Sequence, residues 1–181
     1  KSNKVNHKKV TFHNRYGITL AGDLYEPKDI NGKLPAIAVC GPFGAVKEQS
    51  SGLYAQEMAE RGFITMAFDP SFTGESGGAP RHVASPDINT EDFCAVVDFL
   101  SVQEDVDENK IGIIGICGWG GMAINAAAID TRIKATIAST MYDMTRVKAN
   151  GYFDEANSEE ARYELKKSLN AERLEDYKNG N

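Results

Sequence analysis

The chain has 181 residues, with 20 Lys and Arg against 26 Asp and Glu, 41% hydrophobic and 25% charged residues, the profile of one soluble globular domain. A formal net charge of -6 excludes a general nucleic-acid binder, which needs a basic face to meet phosphate. Cys40, Cys94 and Cys117 stand singly, without the paired spacings of zinc sites, so no protein metal site is expected; their odd, scattered count suits a reducing compartment and a cytoplasmic location.

The N-terminal stretch KSNKVNHKK lacks the apolar core of a signal peptide, lacks an initiator Met, and reads as the solvated edge of a strand. KVTFHN (9–14) and ITLAGDLY (18–25), flanking Arg15-Tyr16-Gly17, form a predicted hairpin. Four short apolar runs follow, PAIAVC (35–40), ITMAFD (64–69), IGIIGI (111–116) and IKATIAST (133–140). Each suits a strand buried on both faces of a parallel sheet.

Helical patterns lie between these runs, over 50–61, from Thr90 through Phe93, Val96, Val97 and Leu100, and over 122–129. Residues 111–129 carry no charge. Their five glycines, 112, 115, 118, 120 and 121, cluster between a β-branched half and an Ala-rich half, so the stretch reads as strand, tight turn and helix rather than a membrane span. The expected fold is α/β, a doubly wound, mostly parallel sheet entered by an antiparallel hairpin. It is expected to occupy residues 1–143. Residues 144–181 would form a cap-like or terminal segment, irregular over 144–157 and helical over 158–177.

Ligand sites in such sheets lie at the carboxyl ends of the strands. The end at Gly115-Ile-Cys-Gly-Trp-Gly-Gly121 is the most informative. A strand running into a Gly-flanked Cys and then a helix has the form of a nucleophile elbow, whose small neighbours let the backbone close and whose helix N-terminus favours a thiolate.

IGIIGICGWGG, with AVCGPFGAVKEQ, GFITMAFDPSFTGESGG and RYGITLAGDLYEP upstream, resembles the α/β-hydrolase fold and is similar to its bacterial dienelactone-hydrolase and acetyl-xylan-esterase-like branch, apparently without the C-terminal part. The resemblance implies a Cys117 nucleophile in place of Ser and an oxyanion hole from the N–H groups of Gly118 and Phe43. It implies no cofactor, and a small-molecule ester, lactone or thioester as substrate. The family supplies its acid and then its His after the nucleophile. Here Asp143 is the candidate acid, His82 is the candidate base although it lies upstream, and no His follows His82. Trp119 stands at the final small position of the elbow; a frame shifted by two residues would place it where the nucleophile belongs.

Asp69 and the Gly74-Glu-Ser76 turn are expected to fix the loop after the second parallel strand, and Lys47 and Glu48 to form an exposed pair near the oxyanion loop. Two other function classes fit the same residues. Gly118-Trp-Gly-Gly-Met-Ala123 matches GxGxxA, with Asp143 about 20 residues later, as a dinucleotide site would have it. Alternatively the polypeptide is catalytically silent, a fragment or a module that pairs with another copy through an open sheet edge.

Overall fold

Apolar alternation becomes a sheet in a computed structural model that describes residues 2–180. The strands are β1 (Val5–His13), β2 (Thr19–Pro27), β3 (Leu34–Cys40), β4 (Ile64–Phe68), β5 (Val106–Ile116) and β6 (Ile133–Ser139); the helices are α1 (Ser50–Ala59), α2 (Pro86–Ser101), α3 (Gly118–Ile129), α4 (Met144–Asn150) and α5 (Glu159–Asn179). The six strands form one sheet in the order β1-β2-β4-β3-β5-β6. β1 and β2 pair antiparallel from Val5↔Pro27 to His13↔Thr19, and β2 runs antiparallel to β4, while β4, β3, β5 and β6 are mutually parallel. The expected hairpin, parallel runs and crossover helices are all present.

The period of two explains how one sheet serves two cores. Ala36, Ala38 and Cys40 of β3 join Met66 and Phe68 of β4 in a cluster completed by α2 and α3. The alternate residues Ile37 and Val39 join Ala67 and Ile116 in a second cluster that α1 closes with Ala55. The Thr65 hydroxyl donates to the Ala55 carbonyl at 2.7 Å, fastening α1 to β4.

α2 starts one turn before Thr90, at Pro86, whose fixed φ suits a first helical position. The early start adds Asn89 to the helix, and both it and Asp92 are buried. Asp92 is fully buried and accepts from Asn14 Nδ2 (2.9 Å), Asn89 Nδ2 (3.0 Å), Ser71 N (2.8 Å) and Ser71 Oγ (2.7 Å). The Asn14 Oδ1 in turn accepts from the N–H groups of Tyr16 and Ile18, so the hairpin turn, the loop after β4 and α2 meet at one carboxylate. Burial raises the Asp92 pKa, and the hydrogen bonds from Asn89, Asn14 and Ser71 work against that rise.

Two compact units divide the chain, one ending at Tyr142 and the other starting at Asp143. In the second, residues expected to be irregular instead form α4 and a 3-10 turn, Tyr152–Asp154. The Asp143 side chain accepts from Arg146 N (2.9 Å) and Thr145 Oγ1 (2.8 Å), capping α4, and an Arg146–Asp154 ion pair ties the helix to the turn. α5 is capped by Ser158 and is exposed along its length. No described helix is long and apolar enough to cross a membrane.

Replacing Asp92 by Ala leaves the buried donors of Asn14, Ser71 and Asn89 without their acceptor. The expected cost is about 3 kcal/mol, a Tm fall on the order of 10 °C by circular dichroism. A fall of 2 °C or less would remove Asp92 as the hub.

Candidate active site

β5 ends at Ile116 and α3 begins at Gly118, so Cys117 alone makes the turn, at φ 60° and ψ -128°. A left-handed φ at a residue with a Cβ is strained and is held only by its surroundings. The Cys117 N–H donates to Ser139 O at 2.9 Å across to β6, and its carbonyl accepts from Gly120 N at 3.0 Å and Tyr142 N at 3.4 Å. The thiol is partly exposed, whereas Cys40 and Cys94 are buried. Burial pushes the Cys94 thiol up to about 11 and raises Cys40 well above the usual thiol value, so neither is a nucleophile at neutral pH.

Two glycines let the turn close. A Cβ at Gly115 would collide with the Trp119 carbonyl, and one at Gly118 would fall inside the Phe43 ring. Trp119 at the usual small position is accommodated because its indole leaves the turn. It is 3% exposed and packs between Phe43 and Phe93, with ring centroids at 5.8 and 6.3 Å. The frame centred on Cys117 is therefore the one the backbone adopts, and Trp119 is a core residue of α3.

The glycines of the GxGxxA match are likewise occupied by protein. All lie within α3, and a Cβ at Gly120 would meet Met141 Cγ at 2.9 Å, so the backbone is not laid open to a pyrophosphate as a dinucleotide site requires.

The loop from β3 to α1 carries Phe43, whose ring lies on Gly118. Neither the Phe43 N–H nor the Gly118 N–H donates to a backbone acceptor among the described residues. Phe43, Trp119 and His82 line one cleft of about 160 Å³, together with Pro42, Pro70 and Thr73. His82 is exposed, at φ 62°, with its N–H bonded to Phe72 O at 2.9 Å. Asp143 belongs to the second unit, where its carboxylate caps α4; the Arg146 N–H and the Thr145 hydroxyl lower its pKa.

Lys47 overturns an expectation. The pair with Glu48 exists (3.0 Å), but Lys47 is 1% exposed, and its Nζ also meets buried Asp69 at 2.9 Å and Glu75 at 2.7 Å. Asp69 further accepts from Lys47 N (2.8 Å) and Glu75 N (2.9 Å), and Ser76 Oγ joins Asp69 O to Ala21 N. The oxyanion-side loop is thereby fastened to the loop after β4, the role read for Asp69 and Ser76. Burial opposes the charge on Lys47, but the hydrogen bonds to Glu75, Asp69 and Glu48 outweigh it and raise its pKa. The lysine itself gave no signal in sequence, where a charged loop residue reads as solvated.

Among the described residues no cluster of three His, Cys, Asp or Glu is arranged to hold a metal ion. Strand, strained Cys turn and helix, faced by a Gly-Pro-Phe-Gly loop after β3, define an α/β-hydrolase domain. The chain belongs to the X-Pro dipeptidyl-peptidase (S15) family, whose model matches residues 16–179.

It is 64% identical over 180 residues to the uncharacterized protein PA2218 of Pseudomonas aeruginosa, covering 99% of this chain and 48% of that one. The crystal structure of that protein superposes with a TM-score of 0.96, over 99% of this chain and 56% of the other. Thiohydrolase aneE of Aspergillus aculeatus is 36% identical over 122 residues, which are 67% of this chain and 37% of that protein. Acetyl xylan esterase 1 of Thermoanaerobacterium shares the fold at 17% identity and TM-score 0.71, over 94% of this chain and 58% of the other. The chain thus spans about half the length of the PA2218 protein and 37% of the thiohydrolase.

Glu75 gives the loop tie a pH signature. Hydrogen bonds from Lys47 and Lys9 lower its pKa from 4.5 to about 2. A carboxylate depressed in the folded state stabilises above its unfolded pKa and loses that contribution as pH falls. The Tm gap between wild type and Glu75→Gln should be constant at neutral pH and close between 4.5 and about 2. A gap unchanged across that window would remove the ion pair as its source.

Proposed function

We propose that this chain supplies the nucleophile and oxyanion groups of a hydrolase acting on small esters, lactones or thioesters, by a cysteine mechanism of the dienelactone-hydrolase kind. The observation that carries this is the strained, partly exposed Cys117 at the head of α3, opposite a loop that offers a second N–H. The thiolate attacks the acyl carbonyl; the N–H groups of Gly118 and Phe43 hold the oxyanion, each contributing about 3 kcal/mol to the transition state. The leaving alcohol or thiol departs, and water releases the acid. Of the three histidines, His82 is the candidate base in this stretch; it lines the cleft that Phe43 and Trp119 also line, a lining that does not include Cys117. The Asp143 carboxylate caps α4 within the second unit, so no acid is assigned in this stretch. Kinship with a protein named a thiohydrolase supports an acyl-sulfur or acyl-oxygen substrate, and the family description makes an X-Pro amide the competing one.

p-Nitrophenyl acetate, an acetyl thioester and an X-Pro p-nitroanilide distinguish these classes. The first two should be cleaved, with an acetyl adduct on the protein by intact mass, and Cys117→Ala should abolish both turnover and adduct. Equal rates in wild type and Cys117→Ala, or turnover confined to the anilide, would overturn the proposal.

A second reading, a self-associating module without catalysis, is favoured by β6. This edge strand leaves Ile137 53% exposed, and Ile124 and Ile129 of α3 are exposed too. Light scattering after size exclusion should then show dimer growing with concentration, reversed by Ile137→Lys. A monomer at every concentration excludes this reading.

A further inference from the structure

We propose that the cleft between β1, β2 and α1 binds a small organic cation of the alkylammonium class, with Asp23 as its anchoring carboxylate. The cleft, of about 650 Å³, lies within the size range of small-molecule sites, and its residues are separate from those of the Cys117 elbow. Asp23 lines it from β2 and is 2% exposed, yet its Oδ1 has no hydrogen-bond partner among the described residues. His7 Nε2 lies 3.1 Å from that oxygen, an ion pair whenever the imidazole is protonated, though not an aligned hydrogen bond.

Beside a neutral imidazole, a buried carboxylate recovers little of the hydration it has lost, and a charged donor entering the cleft restores the balance. The nearby lysines are committed elsewhere. Lys9 Nζ sits 2.6 Å from Glu75, and Lys47 Nζ is buried against Asp69 and Glu75 as well as holding Glu48 at 3.0 Å.

The rest of the lining fits an ammonium with an alkyl tail. Tyr25 stands two residues from Asp23 on the same face of β2, its ring 4.8 Å from that of His7, and offers an aromatic surface beside the charge. Glu48 adds a second carboxylate at the rim, and Val5, Gly52 and Leu53 supply apolar wall for the tail. The absence of a three-ligand cluster among the described residues favours an organic cation, which needs one strong acceptor, over a metal ion. This inference is independent of the hydrolase reading, since it uses none of Cys117, Phe43, Gly118 or His82.

An amide NMR titration of the full chain at neutral pH, with n-butylammonium chloride as probe and n-butanol as the uncharged isostere, tests it. Butylammonium should give saturable shifts confined to residues 5–9, 23–25 and 48–56, butanol should give none there, and Asp23→Asn should weaken binding about tenfold or more. Absence of saturable shifts at these residues, equal response to butanol, or undiminished binding by a folded Asp23→Asn would each overturn the proposal. Should that variant fail to fold, the contrast between the two probes on the wild-type chain decides alone.

Discussion

The buried ion pair between Lys47 and Asp69 is the constraint on which the chemistry-bearing end of the sheet depends. Asp69 follows the last residue of β4, and its carboxylate takes the backbone N–H and the ammonium of Lys47 from one loop and the N–H of Glu75 from the other. Removing either buried partner would strand a charge, at a cost on the order of 3–5 kcal/mol, so the two loops cannot part cheaply. Lys47 stands four residues beyond Phe43, whose ring rests on Gly118 at the head of α3. A chain of contacts therefore runs from a charge pair at one strand end to the elbow at the next but one. Asp92 repeats the device on the other side of the loop after β4, where it gathers Ser71, Asn14 and Asn89.

The elbow itself is a steric solution rather than an electrostatic one. Cys117 adopts a φ that disfavours any side chain, and the turn closes because Gly115 and Gly118 have none. The Trp119 indole, too large for the turn, fills the space between Phe43 and Phe93 and so converts a departure from the family pattern into core packing. Phe43 thereby serves two purposes: its ring packs on Gly118 and Trp119, and its N–H is without a backbone acceptor among the described residues. The same packing accounts for the GxGxxA run, whose glycines accommodate neighbouring side chains and a tight turn.

The fold was legible because burial on both faces leaves a mark that local sequence carries: uninterrupted apolar runs such as PAIAVC and ITMAFD have few other uses. The hairpin and the elbow were legible for a related reason, since turns demand particular residues. Lys47 was not, because its burial is compensated by Asp69 and Glu75, which lie more than 20 residues away and cannot be paired with it by spacing. Asp92 was hidden by its own helix: the apolar positions of α2 drew the face, and the polar residue beside them turned out to be fully buried as well. α4 escaped because MTRVKAN has no apolar period; it is held by the Asp143 cap and the Arg146–Asp154 pair. The cleft around Asp23 is likewise a matter of three elements meeting, and none of them carries a motif for it.

β6 sharpens the difference between what a strand's composition requires and what its surroundings provide. IKATIAST has the apolar, β-branched character of the interior strands, yet its edge position leaves Ile137 half exposed, beside exposed Ile124 and Ile129 on α3. β3, with the same character, has neighbours on both sides and helices on both faces, and its Ala38 and Val39 are wholly buried. An apolar edge gains free energy from any layer that covers it, at roughly 25 cal/mol per Å². The PA2218 protein is about twice as long as this chain, so the hydrolase reading and the self-associating reading differ in what supplies that layer: further polypeptide in one, a second copy in the other. The Cys117 turn is bonded to this same strand through Ser139 O, so whatever steadies β6 also steadies the strained residue at the elbow.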